Sequence, residues 1–526
     1  MRRGGRAAPV FHMGVPMKAT KRDKYILAAI LVLGAFARLR RFGAVPCGLN
    51  QDEAFAAYEA WALLQSGVDS SLHAWPVYLT AWGSGMNALE TYLLLPLLAL
   101  FGVHTWVIRL PQVLLSLLSL FCAYRLGRRI GGERAGLLFT LLLALCPWHV
   151  AMSRWALESN LAPGLLLAGL CCFLHGMESP HFLYLSALCW GLSLYAYSAI
   201  WPVMPLLVGL ILLYARPKPC RALLGSGLLL LALALPLMAF LAVNYGFVEE
   251  FSIGPFSVPR LLVMRASEVS LRRIPENARN LLHILLRRSD GLIWNTPGRF
   301  GLFYPISPPF ALVGLGTLLV RFVRSLRERR FDPAGPLLIW IFAGLCLALV
   351  IDVNANRMNL LLLPLVLCAA LGIEALLSLA GRFDRSGFAA VAAVYLVLFS
   401  SFAVTYFGPY ADSLRGSFTD GVQEAVETAV SHEGTVYVTK AVHYPKVLLY
   451  ARIPPRDFAE TAEYELWPAA FLSPRGFTRF RFYEDAAMPL DPDGVYILWG
   501  GTDVISWEAL GFTAEKHGVF TVLWRA

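Results

Sequence analysis

The feature that most constrains this chain is a succession of long apolar runs separated by short polar breaks, many of them arginine-bearing. A run of about 20 apolar residues satisfies its own backbone as a helix and matches the hydrocarbon thickness of a bilayer. Such runs lie at 24–41, 106–125, 135–150, 161–176, 182–198, 201–215, 222–243, 301–320, 336–351, 358–379 and 388–407. The chain therefore reads as an α-helical polytopic membrane protein with about eleven spanning helices. Composition agrees, with 57% hydrophobic and 15% charged residues; a soluble domain averages about 45–50% and about 25%.

The net charge of +10 is not a nucleic-acid signature. Its arginines sit between apolar runs, where the positive-inside rule places them, and no recognition helix, zinc knuckle or RNA-binding motif accompanies them. The basic N-terminus MRRGGRAAPVFHMGVPMKATKRDK leads into the first run, which ends in ARLRRFG rather than at a small-residue cleavage site. This predicts a retained signal anchor with residues 1–23 in the cytosol. An odd number of spans then places the C-terminal segment outside.

Two long external loops are expected, 42–105 and 244–300. Within the first, Leu89–Phe101 is apolar but short, and is expected to lie in or dip into the outer leaflet. Were it to span, Arg125, Arg128, Arg129 and Arg134 would move outside. Loop 244–300 carries eight arginines and fits the charge rule least well. Ala54–Leu64, with Phe55, Tyr58, Trp61 and Ala62 at helical spacing, reads either as a helix along the membrane surface or as an ordinary loop helix.

From 408 to 526 the apolar runs shorten and charges rise, predicting a small α/β extracytoplasmic domain after the 24–407 membrane domain. Thr419–His432 reads as a capped helix. TVYVT (435–439), KVLLYA (446–451), TRFRF (478–482), GVYILW (494–499) and FTVLWR (520–525) read as strands. Of nine cysteines, only Cys47 is expected outside and none lies in this domain, so packing rather than disulfides must hold it.

Several polar clusters interrupt the apolar background. Asp52 and Glu53, in GLNQDEAF, follow the first run. At a lipid boundary desolvation sharpens a carboxylate's electrostatics, and such a group can serve as general base; the alternative is a solvated pair capping the next helix. SRWALESN (153–160) offers Arg154 as a phosphate clamp and Glu158 for a sugar hydroxyl or a divalent ion, or else an i,i+4 salt bridge. Glu90 opens the short helix and also suits its dipole. Arg357, in DVNANRMN, either snorkels or binds a lipid phosphate. Tyr195 and Tyr197, in YAYSAIW, fit an aromatic belt or sugar stacking. GSGMNA (83–88) matches a loose nucleotide pattern, but no strand precedes it. Histidine spacing supports no zinc site.

Taken in order, these elements resemble the polytopic GT-C glycosyltransferases of family 39 type, which include protein O-mannosyltransferases and aminoarabinose transferases. The matching pieces are the DE pair, LETYLLLPLLALFG (89–102), the RLP triplet Arg109–Pro111, SRWALE, YAYS, GLIWNTPGRFGLFYPIS (291–307) and NRMNLLLLP (356–364), covering about 40–410. The resemblance implies a hexosyl- or pentosyltransferase with a polyprenyl-phosphate sugar donor and a protein, lipid or glycan acceptor at the extracytoplasmic face. It implies inversion, with Asp52 as base beside Glu53. It makes Glu90, Arg109, Arg154, Glu158, Tyr195, Tyr197, Asn295 and Arg357 candidates for substrate binding. A divalent cation is used by some relatives; here Glu90 has no evident histidine partner. Two other classes make different demands on the sequence. A lipid-linked glycan flippase calls for polar residues within the spans. A non-catalytic scaffold has no need of the Asp52 cluster.

Overall fold

The computed structural model describes residues 20–264, 269–381, 384–469, 471–501 and 503–525. The expected cytosolic leader lies outside the described residues as far as residue 19.

Every apolar run is helical. The first is α1 (Lys21–Leu39). Loop one contains α2 (Gln51–Ser66), α3 (Leu89–Phe101) and α4 (Thr105–Ile108). The second and third runs form one element, α5 (Leu110–Leu145), which reverses at Gly131 and Gly132; Gly132 has φ +83, a conformation that favours glycine. Then come α6 (Pro147–Met152), α7 (Glu158–Gly176), α8 (Phe182–Ala196), α9 (Ile200–Ala215) and α10 (Arg221–Asn244). The next loop holds the hairpin β1 (Phe251–Ile253) and β2 (Phe256–Val258), then α11 (Ile274–Arg287). The bundle closes with α12 (Ser307–Arg327), α13 (Gly335–Val350), α14 (Asn359–Leu379) and α15 (Asp384–Tyr406).

Among the described residues six helices are long and apolar enough to cross a membrane: α5, α7, α10, α12, α14 and α15; α3, α8, α9 and α13 are shorter apolar helices. The protein is a multi-pass membrane protein. Helices α7 and α14 are buried among others, whereas α10, α12 and α15 leave most of their apolar surface uncovered, as lipid-facing helices do. At 13 residues α3 is about 20 Å long, short of a roughly 30 Å hydrocarbon core. At the reversal in α5, Arg134 pairs with Glu374 through two 2.7 Å bonds, and Arg321 pairs with Asp332. The acid inside the tenth run is thus neutralised by the basic loop beside it.

The C-terminal domain begins with α16 (Pro409–Ser413) and α17 (Val422–Val430). Its remaining elements are β3 (Val436–Thr439), α18 (Tyr444–Tyr450), α19 (Pro455–Thr461), β4 (Glu463–Tyr464), β5 (Pro474–Phe477), β6 (Phe480–Tyr483), β7 (Val495–Trp499), α20 (Val504–Ala509), β8 (Thr513–His517) and β9 (Phe520–Trp524). The strands form one mixed sheet in the order β4-β5-β6-β3-β7-β9-β8, with β3 parallel to β6 and β7.

Three local expectations are corrected. KVLLYA is not a strand: Pro445, at the start of α18, presets helical φ, and a short apolar run does not distinguish strand from buried helix. The helix expected from Thr419 starts at Val422 without a side-chain cap, because its N-cap is Gly421, at φ +83, which has no side chain to accept a bond. The Ala54–Leu64 segment is not laid open on a surface. Helix α2 is buried on nearly all sides from Glu53 to Leu63, packed against α3 and against α18 of the C-terminal domain.

Candidate active site

The site begins with the cap of α2. Asn50 accepts a bond from the Asp52 amide through Oδ1, and Glu53 accepts one from the Asn50 amide at 2.8 Å, a reciprocal capping box that fixes the first turn. The two adjacent carboxylates consequently face different surroundings. Glu53 is fully buried. It accepts Arg109 Nε at 2.7 Å on Oε1 and Nη2 at 2.9 Å on Oε2, and the Ala156 amide at 2.8 Å on Oε1. Arg109 gives its remaining donors to the carbonyls of Pro46 and Gly48. Asp52 is half-buried at the N-terminus of α2, where the helix dipole favours a carboxylate.

Loop one is pinned from the other side by the C-terminal domain. Gly48 has φ +72, and a Cβ there would lie 2.1 Å from the Phe418 carbonyl oxygen, so backbone meets backbone at this point. Thr419 Oγ1 donates to the Leu49 carbonyl, and Arg109 lies over the Phe418 ring.

Glu90 is fully buried and accepts one bond from Gln112 Nε2 at 2.9 Å, while its Oε1 has no partner. Burial, with the Glu53 charge second, raises this carboxyl to about 8, so it is mostly protonated at neutral pH. Gln112 also donates to the Leu157 carbonyl. Glu158, half-buried at the start of α7, accepts the Asn87 amide at 2.5 Å. Both side-chain polar atoms of Asn87 are buried without a partner. Asn359 Nδ2 donates to Asn160 Oδ1, joining the loop of Glu158 to that of Arg357. Loop one, α3, the start of α5, the start of α7 and the start of α14 thus converge through direct contacts.

The other expected site residues fall elsewhere or take other work. Arg154 is fully buried and spends its guanidinium on the carbonyls of Ala37, Arg38, Arg40, Arg41 and Val45. It satisfies the open C-terminal end of α1 rather than presenting a phosphate clamp, which corrects the expectation from SRWALESN. Nor does Arg154 pair with Glu158. Arg109, expected at substrate, is committed to Glu53 and two carbonyls. Tyr195 donates its hydroxyl to the Leu233 carbonyl on α10, a helix-to-helix contact. Tyr197 is half-buried in extended backbone just after α8. Asn295 donates to Asp290, which also accepts from Thr296 Oγ1 and from the Leu292 and Ala355 amides. Through Asp290 it braces the loop that carries Arg357. Arg357 is partly exposed just before the start of α14 and lies 3.9 Å from Asp352.

Sequence reasoning missed Asn87, Gln112 and Lys446. The signal was present: Gln112 is an amide in an otherwise apolar helix, and Lys446 is a single lysine within YPKVLLY. Lys446 is 1% exposed. Burial lowers its ammonium to about 7, with Glu53 and Asp52 acting in the opposite sense. The residues do not fit a metal centre: the described residues hold no group of three His, Cys, Asp or Glu suited to one, and Glu90 is bonded to an amide rather than flanked by histidine.

Residues 88–245 match the family described as dolichyl-phosphate-mannose-protein mannosyltransferase. That stretch includes Glu90, Arg109, Gln112 and Glu158 but not Asp52. A candidate mannosyltransferase of Bacillus subtilis (strain 168), YycA, is 34% identical over 86 residues; the match spans 16% of this chain and 13% of that protein's length. ArnT from Cupriavidus metallidurans in the apo state superimposes with a TM-score of 0.58 at 13% identity, over 95% of this chain and 97% of that one. The same protein bound to undecaprenyl phosphate gives 0.53 at 14% identity, over 96% and 98%. At these identities the superposition shows a shared fold, and the fold extends through the C-terminal domain. Residues 88–245 are thus similar to the family described as dolichyl-phosphate-mannose-protein mannosyltransferase, and the whole chain shares the fold of ArnT.

Proposed function

We propose that the protein is an inverting membrane glycosyltransferase that moves a sugar from a polyprenyl phosphate to an acceptor at the extracytoplasmic face. The observation that carries this is the division of labour at the start of α2. Glu53 is saturated by Arg109 and two amides, while its neighbour Asp52 remains half-buried at a helix N-terminus. The family match and the fold shared with a protein that binds undecaprenyl phosphate support the lipid-linked donor.

In this reading the Asp52 carboxylate accepts the proton of the acceptor's O–H or N–H. The freed lone pair forms the new bond to the anomeric carbon. The bond from that carbon to the phosphate oxygen breaks on the opposite side, and its electron pair leaves with the polyprenyl phosphate. Glu90, kept protonated by burial, and Asn87 offer hydrogen bonds to hydroxyls. Arg357 offsets the phosphate charge. No step is assigned to a metal. In the same reading the N-terminus lies in the cytosol and the 408–526 domain outside. Purified protein incubated with undecaprenyl-phosphate mannose, glucose, galactose, arabinose and aminoarabinose, with cell-envelope extract as acceptor, should release undecaprenyl phosphate with at least one donor. Release from none would overturn the reading.

A further inference from the structure

We propose that α11 is an interfacial helix that binds anionic phospholipid, its leucines among the acyl chains and its arginines on headgroup phosphates. The placement follows from how both ends of the helix are held. Before it, the Ser270 amide donates to the Val350 carbonyl at 2.9 Å, and near its start Asn277 Nδ2 donates to the Leu349 carbonyl at 3.1 Å. Both acceptors lie at the end of α13, an apolar helix. After it, Arg288 Nη1 donates to the carbonyls of Phe300 and Phe303, shortly before α12 starts at Ser307. The Leu302 amide donates back to the Arg288 carbonyl at 2.7 Å. Helices α12 and α13 pack on each other and are joined by residues 328–334. The start of one and the end of the other therefore share one end of the bundle. Helix α11, about 21 Å long, crosses that end between two apolar helix termini, at the depth where hydrocarbon meets headgroups.

The helix has two apolar sides. Asn277, Leu281 and Ile284, at i, i+4 and i+7, are buried, and α11 packs on α13. Turned away from them are Leu282 and Leu286, 57% and 72% exposed, with Leu271 just before the helix at 72%. Leucines facing outward from a helix at a bilayer boundary are what acyl chains cover. The charges fit the same neighbour. Residues 271–288 hold five arginines against one acid, Glu276. Arg273 is spent on Asp352 at 2.5 Å, and Arg288 on its two carbonyls. Arg272, Arg279 and Arg287 are exposed, and their long stems let the guanidinium groups reach headgroup level. A zwitterionic surface brings no net charge to three guanidinium groups, whereas an anionic one does. Lipid phosphate thus accounts for the arginine excess of the 244–300 loop, which the positive-inside rule does not.

The test uses full-length protein in nanodiscs of equimolar phosphatidylcholine and phosphatidylglycerol. The photo-crosslinking residue p-benzoylphenylalanine replaces Leu286, and lipid adducts are identified by mass spectrometry after irradiation. The same probe at Val397, exposed midway along α15, is the acyl-chain control, and at Ile505 on α20 the water control. Leu286 should give lipid adducts, with phosphatidylglycerol exceeding phosphatidylcholine by about threefold or more. Arg272→Gln, Arg279→Gln and Arg287→Gln combined should cut that ratio by about half or more, and so should salt at about 0.5 M, which screens exposed charges. A Leu286 probe without lipid adducts, while Val397 reacts, overturns the placement. A ratio below about threefold in the parent protein, or one that the triple variant largely keeps, overturns the recognition of anionic lipid. If the triple variant fails to fold, the salt series decides in the same way. Discs of phosphatidylcholine with undecaprenyl phosphate separate the two sources of lipid phosphate. Enrichment of that carrier without enrichment of phosphatidylglycerol would make the helix a carrier site and overturn the proposal.

Discussion

Glu53 and Arg109, 56 residues apart, meet through bonds of 2.7 and 2.9 Å with both side chains fully buried. Such a pair is a poor source of net stability, but it is costly to break from one side. Glu53→Gln and Arg109→Met should each destabilise the protein by about 3–5 kcal/mol, seen as a lower melting temperature. Arg109→Lys should rescue poorly, since an ammonium cannot reproduce the fork. A Glu53→Gln protein with normal melting temperature and abolished turnover would instead make Glu53 a participant in the reaction.

Glu90 should impose a pH dependence on stability. Its ordinary value of 4.5 applies to the unfolded chain, and its folded value is about 8. Between these the unfolded state holds fewer protons than the folded one, so stability falls as pH rises through that window. Glu90→Gln keeps an oxygen for Gln112 and removes the titration. Melting temperatures from pH 5 to 9 should show the variant gaining on wild type as pH rises. Parallel curves would place Glu90 in a wetter setting.

Arg154 and Arg357 should separate on mutation. Arg154→Ala strands the carbonyls at the end of α1 and should cost about 2 kcal/mol or more in stability. Arg357→Ala should leave melting temperature nearly unchanged and weaken donor binding by about 1.5–3 kcal/mol. Unchanged donor affinity in Arg357→Ala would mark it as a snorkelling residue.

The proposed orientation is tested by topology alone. A tag following Ala526 should be cleaved by protease added to intact cells whose outer barrier is opened, while a tag preceding Met1 should be protected. Protection of the C-terminal tag would invert the placement of the whole site.

Much of the helical framework was legible because a spanning segment writes its own length and hydropathy into the chain. The Asp52–Glu53 pair was legible as a cluster, since carboxylates stand out after an apolar run. The assignment of work within it was not. That Glu53 is consumed depends on Arg109, and that Arg154 serves α1 depends on carbonyls more than 100 residues away. Neither contact leaves a local pattern. Lys446 is hidden in the sequence in the same way. KVLLYA has the alternation-free apolar character of a buried segment; it is a helix entered at Pro445 and packed against α2, and that packing buries its lysine.

The most direct test of the account is Asp52→Asn, which keeps size and hydrogen bonding but cannot accept a proton near neutral pH. Turnover should fall about 100- to 10,000-fold, and donor affinity should be largely retained, because the carboxylate acts mainly in the transition state. Both are measured on the same preparation with the best undecaprenyl-phosphate sugar of the panel. Near-normal turnover in Asp52→Asn would contradict the account.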